Sequence, residues 1–397
     1  MATASDASRR RLSTALREDE RVSPLELFFD LVFVLAITQR TQLMSDKPTW
    51  EGMVEGLLVL ALLWWSWTAY AWLTSVVDPE DDAVRVSIFA AMAGLLIVSL
   101  SVPEAFGDKA LTFVCAYGVV RAGQIALYLL GSRDNPGLRH SVWGLAGSTA
   151  LGVGLLVVGA LLGGTGQGVL WSLALLLDMG GPYLFGAEGW TLVPGHFAER
   201  HGLIIIIALG ESIVAIGAGA EAGLTFAMGV AAVLGIGLAA AMWWLYFDVV
   251  AVVAGRRLAQ ATPGREQNEM ARDSYSYLHF LMIAGIVLVA LGMKKTLGHV
   301  EDPLETVPAF ALCGGLAIYL LGHVAFRYRH VHTINRQRLA LAIALLASFP
   351  AASEVSPIIV LAVLDLVLVA MIVYETRRYG ERRRQLRREL AAHSPPS

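Results

Sequence analysis

Two carboxylates four residues apart, Glu26 and Asp30, stand inside the apolar run Leu25-Glu26-Leu27-Phe28-Phe29-Asp30-Leu31-Val32-Phe33. On a helix that spacing puts both acids on one face. They also lie near the helix N-terminus, where the positive end of the dipole favours anions. An ionisable group at membrane depth costs at least ~2.5 kcal/mol on insertion scales, so it faces the protein interior or a water-filled path. The pair reads as a cation or proton site, or as an N-terminal cap held by Arg21 or a neighbouring helix.

A second cluster is His196-Phe197-Ala198-Glu199-Arg200-His201, followed by an apolar run and then Gly210-Glu211-Ser212. Arg200 and Glu211 are three helical turns apart on one face, about 16 Å. If Arg200 marks a membrane edge, Glu211 lies near the midplane, where it must be paired, protonated or hydrated. It suits a cation or proton site; the structural alternative is an ion pair with another helix, for example through Arg121. Asp178 and Asp365, in further apolar runs, line a path or make helix-packing hydrogen bonds. His279, His323 and Asp248 read as interfacial or satisfied interior positions.

Other chemistries find no support. His196, His201 and Glu199 lack the i, i+4 spacing that turns two ligands from one helix toward a single ion, so no metal is expected. There is no P-loop, dinucleotide fingerprint or nucleophile elbow, so neither a cofactor nor catalytic residues are assigned. Cys115 and Cys313 sit in apolar runs and read as small hydrophobes without a disulfide. Trp64, Trp65, Trp67, Trp72, Trp243 and Trp244 suit membrane interfaces and bulky packing.

The elements that must position these residues are membrane helices. Of 397 residues 56% are hydrophobic and 16% charged, and mean hydropathy is +0.60, too apolar for a water-facing surface. A net charge of −3 does not suggest nucleic acid. Runs near the roughly 20 residues that a span needs lie at 25–43, 51–76, 85–105, 110–130, 141–162, 168–187, 199–219, 224–253, 273–293, 307–326, 338–351 and 356–375. The weakest are 338–351, which is short, and 25–43, which carries two acids. With these twelve spans, 24 of the 30 Lys and Arg fall on the side of the termini and 5 opposite, with Arg121 inside a helix. Cytoplasmic loops retain positive charge, so both termini are expected in the cytoplasm, and the first helix is expected to be retained.

An internal repeat is also readable. Trp64-Trp65 matches Trp243-Trp244, Phe89 through Gly94 matches Phe280 through Gly285, Leu173 through Asp178 resembles Leu361 through Asp365, and Cys115 matches Cys313. The expected fold is all-α, a polytopic transmembrane helical bundle of about twelve helices in two parallel six-helix repeats. The divisions are 1–23, a basic N-tail; 24–190, the first repeat; 191–375, the second; and 376–397, a basic C-tail suited to anionic headgroups.

The segment Glu26 through Val34, the Trp-rich end of the second run, Glu199-Arg200-His201 with Leu209-Gly210-Glu211-Ser212, and Trp244 with Tyr246-Phe247-Asp248 together resemble the bacterial low temperature requirement A (LtrA) family. The resemblance covers nearly the whole membrane region and implies a bacterial membrane protein. The family's name reflects a growth phenotype in the cold and supplies no mechanism. Phe28-Phe29-Asp30 also resembles the Phe-Ser-Asp motif of endolysosomal potassium channels that lack a P-loop, which have six-helix repeats too; Phe29 replaces the Ser here.

Taken together, these residues point to a channel or secondary transporter for a cation, proton or small solute in the bacterial plasma membrane. Asp30 and Glu211 would bind the cation or carry the proton. Asp178, Asp365, Glu26 and Glu199 would belong to the path, and Arg200 would set the local field. The rivals are a membrane-embedded enzyme acting on a lipid or isoprenoid, and a non-catalytic cold-envelope or regulatory protein. The bilayer is the expected partner, and the sequence leaves room for a homo-oligomer.

Overall fold

The computed structural model describes residues 21–77, 79, 81–133, 135–185, 189–219, 225–298, 300 and 302–393; the N-tail before residue 21 and the last four residues lie outside them. Fourteen α-helices and no strand are found among the described residues. They are α1 Pro24–Asp46, α2 Trp50–Val76, α3 Asp82–Ser101, α4 Ala110–Gly131, α5 Pro136–Leu162, α6 Gly164–Leu184, α7 Pro194–Gly219, α8 Phe226–Phe247, α9 Val250–Gln260, α10 Arg265–Ala271, α11 His279–Gly298, α12 Thr306–Val331, α13 Arg336–Ala352 and α14 Pro357–His393. All but α9 and α10 have at least 17 residues, and each of these twelve coincides with an expected span. Among the described residues, nine segments are long and apolar enough to cross a bilayer. The chain is a multi-pass membrane protein.

Helix starts are written in the sequence. Thr49, Asp81, Asn135, Thr225 and Asn335 each accept a first-turn N–H at the start of α2, α3, α5, α8 and α13, satisfying donors that the helix itself leaves unbonded. Ser23 and Glu26 form a reciprocal cap at α1. The Ser23 N–H donates to Glu26 Oε2 at 2.9 Å, and the Glu26 N–H to Ser23 Oγ at 3.4 Å. Between α5 and α6 the chain reverses through Gly163 and Gly164, with φ of 68° and 53°, a backbone that side chains disfavour.

Boundaries differ from hydropathy where polar residues are helical. The run 224–253 breaks after Phe247, and the amphipathic α9 follows. The run 273–293 is the end of a longer helical stretch: α10 is followed by a π-helical turn over Arg272–Leu278, which leads into α11. Hydropathy locates where side chains turn apolar, whereas helix ends follow caps and packing.

Exposure is inverted relative to a soluble domain. Leu31, Val86, Leu162, Leu176 and Leu366 are each more than half exposed, whereas Asp30 is 0%, Arg200 1% and Glu211 2% exposed. Apolar side chains face lipid, and the ionisable ones are sequestered. The chain forms two compact units, residues 1–204 with 258–280 and residues 205–257 with 281–397. In the first, α1 packs on α2 and α3, and α3 through α6 pack in succession, while α2 also touches α4 and α6. In the second, α8 packs on α14 and α12 on α13. There, α11 and α12 approach at Gly285, where a Cβ would stand 2.6 Å from the Gly315 carbonyl oxygen and the Tyr319 nitrogen.

Candidate functional site

In the first unit α1 and α7 bring their N-terminal turns together. The Glu26 carboxylate faces two ways: Oε2 accepts from the Ser23 backbone and hydroxyl, and Oε1 lies 2.9 Å from His196 Nε2 and 3.7 Å from Arg200 Nη1. One turn deeper, Asp30 Oδ1 accepts from Arg200 Nη2 at 2.6 Å and from the Trp67 indole N–H at 2.7 Å. Arg200 Nη1 donates to Thr74 Oγ1 at 2.9 Å, and its guanidinium lies 5.4 Å from the Trp67 ring. The arrangement interlocks three helices: α1 supplies acids, α7 bases, and α2 the indole and hydroxyl. Glu199, exposed on the same turn of α7, accepts from the Val22 N–H at 3.2 Å.

His201 continues this cluster inward. Its Nδ1 donates to the Phe197 carbonyl at 2.8 Å, which leaves Nε2 as an acceptor. The ring is walled by Trp67 at 5.0 Å, Tyr275 at 5.1 Å and His279 at 5.3 Å between centroids. His279 Nε2 meets the His201 carbonyl at 3.1 Å, and its ring stacks on Trp64 with 9° between planes. The π-helical turn feeds the same region, since the Ser276 carbonyl accepts from Trp64 Nε1 and the Ser276 hydroxyl from Trp72 Nε1. Asp30 Oδ2, Arg200 Nε and His201 Nε2 are buried without a hydrogen-bond partner among the described residues.

Deeper among α4, α5 and α6, Arg121 Nη2 donates to both oxygens of Asp178, at 2.9 and 3.1 Å, and to Thr149 Oγ1 at 3.0 Å, while Nη1 donates to Gln124 Oε1 at 2.8 Å. The Thr149 hydroxyl donates to Asp178 Oδ1 at 2.7 Å. Asp178 is thus neutralised inside its own unit. Beside this pair lies a cavity of about 80 Å³.

In the second unit Glu211 is buried on α7, and Asp365 is half-buried on α14. Gly237 of α8 makes room for Asp365, since a Cβ there would stand 3.1 Å from its carboxylate. Sequence reasoning did not single out the strongest pair of this unit. Arg338 Nε and Nη2 donate to the two oxygens of Glu375 at 2.9 and 2.8 Å, a two-pronged fork joined by Asn335 and His323. An arginine just inside the run 338–351 and a glutamate closing 356–375 were the available signal. No group of three His, Cys, Asp or Glu suited to a metal ion occurs among the described residues.

The model of the bacterial low temperature requirement A protein (LtrA) matches residues 21–373. The chain belongs to the LtrA family. The match takes in the whole Glu26–Asp30–His196–Arg200 cluster, the Arg121–Asp178 pair and Arg338, but not Glu375. A curated relative, the uncharacterized protein RA0937 of Rhizobium meliloti (strain 1021), is 28% identical over 373 residues, covering 88% of each chain. No solved structure matches this LtrA chain.

Proposed function

We propose that this LtrA-family protein is a transport protein of the bacterial plasma membrane. It would be a channel or secondary transporter for a cation or small solute, with both termini cytoplasmic. The observation that carries the reading is Asp30, fully buried in α1, with one carboxylate oxygen held by Arg200 and Trp67 and the other unpartnered. An ion pair half-satisfied in this way is a switchable element: a proton or a solute group that competes for either partner changes the balance between α1 and α7.

Charge pairing favours a solute or proton over a bare metal cation. In the first unit Glu26, Asp30 and Asp178 each have a basic neighbour within 3 Å, in His196, Arg200 and Arg121. A cation-conducting path needs rings of carbonyls or carboxylates whose field is not already cancelled. Glu211 and Asp365 supply the corresponding acids of the second unit, and Glu199 stands at the exposed end of the α1–α7 cluster.

Proteoliposomes of the purified protein test the reading. Flux of H⁺, K⁺, Na⁺ and a panel of small solutes is compared for the parent, Asp30→Asn and Glu211→Gln at matched, folded reconstitution levels. Flux in the parent that falls at least tenfold in both variants is expected. Absence of flux in the parent across the panel overturns transport, and flux unchanged in both variants removes these acids from the path.

A further inference from the structure

The cavity in the first unit is built from the later turns of α2 and α4, the start of α5, the end of α6, Trp190 and the α10 region through Ser276. About 80 Å³ of it is open to water, which leaves room for a small ligand. Trp65, Trp72, Tyr128 and Trp190 supply aromatic wall; Trp190 meets Trp72 and Tyr128 edge to face, at 5.9 and 5.0 Å between centroids. Such walls accept a flat or apolar body.

The polar atoms left over on this wall are predominantly donors. Trp65 Nε1, Thr68 Oγ1 and Arg121 Nε are buried and have no partner among the described residues. An indole N–H and a guanidinium Nε–H only donate. Of the side-chain amide carbonyls on the wall, that of Gln124 is already occupied by Arg121, and Asn268 supplies a second. Two guanidinium groups, Arg121 and Arg272, line the cavity, whereas their carboxylate partners Asp178 and Asp273 do not. Donors in excess of acceptors, with the arginine and not the carboxylate of each pair lining the space, suit a ligand bearing negative charge and oxygen acceptors.

We infer that this cavity binds a small amphipathic monocarboxylate, its carboxylate facing the Trp65, Thr68 and Arg121 donors and its apolar body lying among the rings. The inference deepens the transport reading by naming a solute class, yet equilibrium binding needs no transport, so the two are tested apart. The carboxylate could come from a soluble metabolite or from a membrane-derived fatty acid.

The test is equilibrium binding of radiolabelled phenylacetate to the full-length protein in lipid nanodiscs, with phenylethylamine and decanoate as competitors. Saturable binding is expected, displaced by excess phenylacetate and resisted by phenylethylamine. Trp65→Phe, which keeps a ring and removes the N–H, and Thr68→Val should each weaken it about fivefold, the loss of roughly one hydrogen bond, with the melting temperature of the protein held. Displacement by decanoate at lower concentration than by phenylacetate assigns the site to fatty acids; the reverse assigns it to soluble carboxylates. No saturable binding, equal displacement by the amine, or unchanged affinity in both variants overturns the inference. Ion flux with no carboxylate binding would leave transport standing and remove this site, and binding without any flux would do the opposite.

Discussion

Arg200 illustrates what a buried charge needs. It is 1% exposed and spends its two terminal nitrogens on Asp30 and Thr74, with the Trp67 ring alongside. Removing one member of a buried pair strands the other, a loss of about 3–5 kcal/mol, whereas removing both costs much less. Arg200→Gln should therefore lower unfolding stability in detergent by about that amount, and Arg200→Gln with Asp30→Asn should recover part of it. Double-variant losses equal to the sum of the single ones would show that the pair is not energetically coupled. Glu26, Asp30, Glu199 and Arg200 were all legible as chemically loaded residues because charge in an apolar run is conspicuous. Their mutual pairing was not, since it joins positions 170 residues apart and no local pattern encodes which helices touch. Trp67 and Thr74 were invisible as ligands for the same reason: indoles and hydroxyls are ordinary in membrane helices, and only their geometry makes them partners.

Between elements the controlling quantity is how closely backbones approach. At Gly285 a methyl group would press on α12 backbone atoms 2.6 Å away, which cannot swing aside as a side-chain end does. Gly285→Ala should cost about 1–3 kcal/mol by overpacking, read as a lower melting temperature in detergent. Gly154→Ala in α5, where a Cβ meets nothing within 4 Å among the described residues, should be neutral or stabilising by up to ~1 kcal/mol, because alanine favours helix. A larger loss at Gly154 than at Gly285 would contradict this packing. The spans themselves were readable from length and apolarity to within a few residues. The exceptions are the break after Phe247, the helical stretch ahead of His279 and the continuation of α14 to His393, all in polar sequence; ahead of His279, Asn268 donates to the Trp190 carbonyl at 2.8 Å.

At the scale of the molecule, the proposed orientation rests on the distribution of Lys and Arg. With most positive charge on the side of the termini, a C-terminal green fluorescent protein fusion should fluoresce and a C-terminal alkaline phosphatase fusion should be inactive. The reverse pattern would invert the proposed orientation. Helices α1, α6 and α13 fall outside the nine that qualify on length and composition, so the bundle carries them by what they touch and not by hydropathy alone. In α1 the acids are matched by His196 and Arg200 of α7 and by the Trp67 indole of α2.

The π-helical turn at Arg272–Leu278 gives the chain one place where its length can be edited at small cost. Bonds running five residues back, in place of four, hold an extra residue within the turn. Deleting one residue there would restore α-helical pairing with the flanking turns kept in phase, but would remove the bulge that presents Ser276 to Trp64 and Trp72. Among relatives, a single-residue gap at this point should therefore travel with changed partners for those two indoles, so that an alignment gap becomes a marker of how the tryptophan cluster has been rebuilt.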